Sequence, residues 1–156
     1  MRADRSPADI PIEDVVPHRG AMLLVDRLIF CDDDNVVVEA DVGAGNQFAD
    51  DTGVPAWVGI EYMAQAIAAW AGYRALARQE TVKLGFLLGT RRYTCARSVF
   101  AFGLRLRIEG HRELFGENGL GLFACRILDG DEEIATANVS VFEPQNPEAF
   151  LEGQQP

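Results

Sequence analysis

The sequence predicts an α+β domain in which an antiparallel sheet curls around one long central helix. Three observations predict it. Strand-like segments come as two, then four, with a single long helical stretch between them. That stretch is apolar on most of its sides, as suits a helix enclosed by other structure. The strand segments alternate apolar and polar residues and are joined by turn sequences, as suits hairpins. A curled sheet covers more of a helix than a flat one does, so the three observations fit one architecture.

Taken in order, residues 1–14 are polar and read as a flexible N-terminal segment. The domain itself is expected over 15–143. Residues 22–30 (MLLVDRLIF) read as a first strand, the cluster from Asp32 to Asn35 as a turn, and Val36 to Val42 as the returning strand. Residues 43–53 are rich in Gly, Asn and Asp and read as a loop. Pro55 suits the first turn of a helix, where its missing N–H is no loss. From there a helix of about six turns runs to Arg78. Trp57, Ile60, Ala64, Ile67, Ala68 and Ala71 make an apolar stripe, and Val58, Met63, Ala66 and Trp70 make the other side apolar too.

Four strand segments follow, at about 82–90, 99–110, 119–128 and 133–142. Alternation is plain from Leu104 to Ile108 and again at Ala135, Ala137, Val139 and Val141. Glu117-Asn118-Gly119 and Asp129-Gly130-Asp131 supply hairpin turns. Residues 144–156 are rich in Pro and Gln and read as a flexible tail. No internal repeat and no second domain is visible.

Composition narrows the function. The 156 residues are 48% apolar and 24% charged, the profile of an ordinary globular chain. The net charge of −10 argues against nucleic acid and against anionic membranes. Cys31, Cys95 and Cys125 are scattered without metal-ligand or disulfide spacing, and His18 and His111 lie far apart, so no metal site is expected. Val54 to Tyr73 has the length of a membrane span but carries Glu61 and Gln65, so a buried helix of a soluble protein is the better reading. The N-terminus shows no signal peptide, which makes a cytoplasmic setting the default expectation.

Two motifs carry a family resemblance. Pro17-His18-Arg19 followed by Met22-Leu23-Leu24-Val25-Asp26-Arg27 resembles the opening of the β-hydroxyacyl-acyl carrier protein dehydratases. Val54-Pro55-Ala56 followed by Ile60-Glu61-Tyr62-Met63-Ala64-Gln65-Ala66 resembles the start of their central helix, and Gly85 to Gly89 resembles their third strand. The likeness runs from about Pro11 to Glu143. It implies the hot-dog fold, a dimer with active sites across the interface, and elimination of water from a 3-hydroxyacyl thioester without a cofactor. It further implies that Glu61 is the catalytic acid, that Gln65 steadies it, and that a backbone N–H at Ala56 receives the thioester carbonyl. Ala56 stands where the family usually has Gly. The family's catalytic His lies fourteen residues before the Glu, and that position is Gln47, which cannot abstract a proton. The chain therefore resembles a divergent branch without that histidine, such as the dehydratase-like proteins of aryl polyene gene clusters.

The residues permit that chemistry. A carboxyl in apolar surroundings resists ionisation, so Glu61 is expected to titrate high enough to serve as an acid or base near neutral pH. Gln65, at i+4, shares its face. The helix start at Pro55-Ala56-Trp57 offers amides and a positive dipole end to an enolate oxygen. His18, or Asp50 or Asp51, is expected to replace the missing base; a histidine merely bonded to backbone is the plainer reading of His18. Trp57, Trp70, Phe86 and Phe102 suit an acyl tunnel, or simply a core. Residues 81–107 hold Lys83, Arg91, Arg92, Arg97, Arg105 and Arg107 and no acid, so +6 sits on a chain whose remainder carries −16. That strip suits an acidic acyl carrier protein or the phosphate of its arm or of coenzyme A, or else pairs with acidic strands.

Three functions remain open on sequence alone. They are a dehydratase working through Glu61, a non-catalytic acyl-thioester-binding partner of a related dehydratase subunit, and an acyl thioesterase. A homodimer or dimer-based oligomer is expected in each case.

Overall fold

The computed structural model describes residues 6–80 and 86–143. Strands β1 (Arg27–Cys31) and β2 (Asn35–Asp41) form the first hairpin. A short β3 (Gly53–Pro55) leads through a 3-10 turn (Ala56–Val58) into helix α1 (Gly59–Ala77), 19 residues long. Then come β4 (Phe86–Cys95), a short β5 (Val99–Ala101), β6 (Arg105–Phe115), β7 (Leu120–Asp129) and β8 (Glu132–Phe142). Six strands make one sheet in the order β1-β2-β6-β7-β8-β4, and every pairing in it is antiparallel. β3 and β5 pair separately, antiparallel.

Alternation decides which side chains meet the helix. Val36, Val38, Leu106, Ile108, Phe123, Cys125, Ile127, Ala137 and Val139 are buried and share one core with Tyr62, Met63, Ala66, Ala69 and Trp70 of α1. The outer positions between them carry Arg105, Arg107, Glu109 and Arg126. Burial of this one apolar face, at roughly 25 cal/mol per Å2, is the main force holding helix to sheet.

The structure corrects several expectations. The apolar stripe is not uniform: Ile67 is in the core and Trp57 is exposed, while Ile60, Ala64, Ala68 and Ala71 are half-buried, and the side holding Met63, Ala66 and Trp70 is the enclosed one. The first strand starts at Arg27 rather than at residue 22, because Gly20–Met22 forms a 3-10 turn. The helix starts at Gly59, since Pro55 closes β3. The strand expected over 99–110 is split at Gly103, whose φ of +90° a glycine adopts without strain.

The looseness expected over residues 1–14 does not extend to residues 6–14. Two 3-10 turns, Pro7–Asp9 and Ile12–Asp14, place Ile10 and Ile12 in the core. Val15 follows them under the helix, where its carbonyl lies so close to Gly72 that a Cβ there would collide with it. Residues 1–5 and the tail expected at 144–156 lie outside the described residues. No helix among the described residues is long and apolar enough to cross a membrane.

Candidate active site

Glu61 sits in the first turn of α1, at the mouth of a cavity of about 250 Å3. The cavity runs along the half-buried helix face past Ala64, Ala68 and Ala71, with Leu87, Phe115, Val141 and Phe142 on the strand side. The small alanines leave the space; the strand residues make it apolar. Glu61 is less enclosed than its helix suggests, with 32% of its side chain exposed.

The histidine at the mouth is His18. Its Nε2 lies 3.8 Å from Glu61 Oε1, although the two residues are 43 positions apart in the chain. Arg19 holds the His18 loop in place: its guanidinium donates to the carbonyls of Glu13, Val16 and His18, each at 2.7 Å. His18 Nδ1 is buried without a hydrogen-bond partner among the described residues, so this is not a histidine satisfied by backbone. Burial pushes its pKa below the usual value, and the Arg19 charge acts the same way; Glu61 opposes them without reversing the outcome. The ring is therefore neutral at pH 7 and able to accept a proton.

Gln65 links the two halves of the site. It is fully buried. Its Oε1 accepts from the Leu24 N–H at 2.9 Å. Its Nε2 donates to the Met22 carbonyl at 2.7 Å and to Glu61 Oε1 at 3.2 Å. One amide thus ties the helix to the turn and loop that follow His18 while holding the Glu61 side chain. Of the alternatives expected for it, these bonds show the core-satisfying amide, with one of them reaching Glu61.

The remaining candidates lie elsewhere. Gln47 donates to the Ala21 carbonyl and to Met22 Sδ, each at 3.0 Å, and does not line the cavity. It braces the turn after His18. Asp50 Oδ1 accepts from the Thr52 N–H, the Thr52 hydroxyl and the Gly53 N–H, which hold its carboxyl below its usual range; it shapes the loop. The Ala56 N–H is spent on the Ser98 carbonyl at 3.1 Å, and the Ala56 carbonyl accepts from the Tyr93 hydroxyl. That corrects the reading of Ala56 as the thioester-carbonyl donor. Pro55 belongs to β3 and does not line the cavity. Trp57 is 61% exposed, edge-on to Phe48, and Phe102 is exposed as well; neither lines the cavity, whereas Trp70 does. The backbone of Phe86 pairs with Phe142, and its side chain lies outside what is described.

Sequence reading missed Arg19, Leu87, Phe115 and Val141. Arg19 was visible only as a motif letter. The spacing of Ala64, Ala68 and Ala71 behind Glu61 was the available signal for a groove. Among the described residues, no three His, Cys, Asp or Glu side chains gather as a metal would need. Cys31 and Cys125 are no nucleophiles, since burial pushes both thiols up to about 12.

The basic strip is mostly neutralised. Arg97 pairs with Asp129 and Glu132, Arg105 with Asp41, and Arg107 with Glu109. Arg91 and Arg92 differ: both are exposed and form no ion pair among the described residues. A bulge between Arg91 and Thr94 interrupts the ladder with β8, and Arg92 there takes a φ of +56°. Lys83 lies outside the described residues.

A family model for ApeP dehydratases, described as ApeP-like, matches residues 10–152. The chain belongs to the ApeP-like dehydratase family. A solved structure, the dehydratase heterocomplex ApeI:P from Xenorhabdus doucetiae, matches with a TM-score of 0.85 and 28% identity, over 94% of this chain and 99% of that one. More distant structures share the fold alone, and they establish it as the hot-dog fold. One is the PaaI protein of E. coli, with a TM-score of 0.57, 16% identity, and 74% and 80% of the two chains covered. Another is a hypothetical thioesterase with coenzyme A from Streptococcus pneumoniae, with a TM-score of 0.55, 14% identity, and 75% and 84% covered. No curated protein matches. This member of the ApeP-like family carries Glu61 and Gln65 on the helix and His18 beside them on the opening loop.

Proposed function

We propose that this chain is the acyl-binding, catalytic-carboxylate subunit of a 3-hydroxyacyl-thioester dehydratase. The observation that carries the reading is the His18 ring at 3.8 Å from Glu61, at the mouth of an apolar cavity. His18 takes the proton from the carbon next to the thioester. The electron pair becomes the new double bond, and the bond from the neighbouring carbon to its hydroxyl breaks. The proton now on His18 is handed on, with Glu61 beside it, to the departing oxygen, which leaves as water, and the ring is free to accept again.

The partner follows from what the chain leaves open. β4 is an edge of the sheet, with Leu87 and Leu88 exposed on it. The Ala56 amide is already engaged, which leaves the thioester carbonyl to be received by a second, related hot-dog subunit paired at that edge. The heterocomplex nature of the Xenorhabdus doucetiae structure supports a partner of this kind. A second copy of this chain is the other candidate, and it would bring the unpaired Arg91 and Arg92 of both copies to one edge. An acidic acyl carrier protein suits the same two arginines.

Gln47 in the place of the family's histidine favours a second reading, a non-catalytic acyl-binding subunit. Incubation with a 3-hydroxyacyl carrier-protein thioester, followed by mass, separates them. Loss of water that Glu61→Gln abolishes, with the fold kept, is the expected result. Binding without turnover, alone and with a partner subunit, would leave only the second reading. Release of free acid would make the chain a thioesterase.

A further inference from the structure

The cavity beside Glu61 ends against a wall, and a second cavity of about 290 Å3 begins behind it. Trp70, Ala71, Phe115 and Glu143 line both. We propose that Trp70 and Phe115 fix the longest acyl chain the site accepts, and that Phe115 is the half that sets the limit. The proposal rests on the reading that the Glu61 cavity holds an acyl chain, and it names which chains.

The groove is straight because it follows α1. From Glu61 to Ala71 it spans about 15 Å at the rise of a helix. Its helix side carries Ala64, Ala68 and Ala71 with Ile67 among them, a low apolar surface that suits an unbranched chain.

The two wall residues are held differently. Trp70 is pinned from all sides. Its ring meets Phe115 and Phe123 edge-on at 5.1 Å each, and its indole N–H donates to the Asp33 carbonyl at 3.2 Å. The Arg74 guanidinium lies 4.7 Å from its ring centre. Phe115 is the last residue of β6, half-buried, at the start of the turn to β7. Its ring lies over Gly121 in the cross-strand position; a Cβ there would approach Phe115 Cδ2 to 2.9 Å. Removal of the Phe115 ring therefore opens the wall, whereas removal of Trp70 removes core.

Beyond the wall the lining changes. Arg74, Arg78 and Arg112 face the second cavity. A methyl-ended chain gains little there, so polarity reinforces the steric stop. Phe115→Ala joins the two spaces along the same helix face.

The test uses S-alkyl pantetheine thioethers of increasing length, which cannot turn over, with binding followed by calorimetry. Affinity of the wild-type protein should rise about fourfold with each added methylene until the chain reaches the wall, then fall. Phe115→Ala should move that break to longer chains. Ala71→Phe, which fills the groove, should move it to shorter ones. Thermal unfolding of each variant checks the fold, and Phe115→Leu serves if the alanine variant unfolds. An unchanged break in folded Phe115 and Ala71 variants overturns the wall while the acyl site stands. No binding of any thioether to the wild-type protein overturns the acyl site itself.

Discussion

Gln65 shows how one buried side chain ties several parts of the fold together. Replacing it by leucine leaves the buried Leu24 N–H and the Met22 carbonyl without a partner, a loss of about 1–3 kcal/mol for an unsatisfied buried group. The urea midpoint should fall accordingly, and turnover should fall with it because Glu61 loses its tether. His18 carries a pH prediction. Its folded pKa lies below 6.5, so the unfolded chain binds the proton first as pH falls. Stability is therefore held above pH 6.5 and declines as pH drops from there toward the depressed folded value. The midpoint of His18→Asn should fall less than the wild-type midpoint across that window. The acid limb of the rate should likewise lie below 6.5, since the working ring is neutral. An acid limb above 6.5 would remove His18 from the chemistry.

The same contrast between visible and hidden holds for the elements. The existence of α1 was legible, because a long apolar stretch between strand runs has few other homes. Its orientation was not. A helix apolar on both sides gives no phase, and it is the row of Ala64, Ala68 and Ala71 that lines the cavity. β3 was missed because a three-residue strand is too short to alternate, and β5 was read as one run with β6. The motif around Glu61 was readable, but its distance to His18 was not, since nothing in local spacing measures a contact 43 residues away. Gly72 gives the test of how the helix is seated. Alanine is the better helix former by about 1 kcal/mol. Its Cβ would nevertheless strike the Val15 carbonyl, so Gly72→Ala should destabilise by about 1–3 kcal/mol in chemical unfolding. A more stable variant would show that the N-terminal segment sits elsewhere.

Across the whole molecule, charge is distributed rather than blocked. The acidic excess of −10 is laced with arginines that mostly pair on the outer sheet face, as Arg126 does with Glu109 and Glu133. Arg91 and Arg92 stand apart from that lacing. Reversing both to glutamate should weaken binding of an acidic carrier protein at least tenfold at low salt, with less effect at high salt. Turnover of a small pantetheine substrate should be untouched. Equal losses on both substrates would instead point to a damaged site. The Arg19 clasp, finally, makes the leading stretch of the chain part of the mouth of the proposed site. Cargo settling against His18 must favour the seated state of residues 6–19, and by mass action it should slow proteolytic nicking there. Trimming residues 6–14 should loosen His18, since Arg19 loses the Glu13 carbonyl, and should cost stability as well, since Ile10 and Ile12 leave the core.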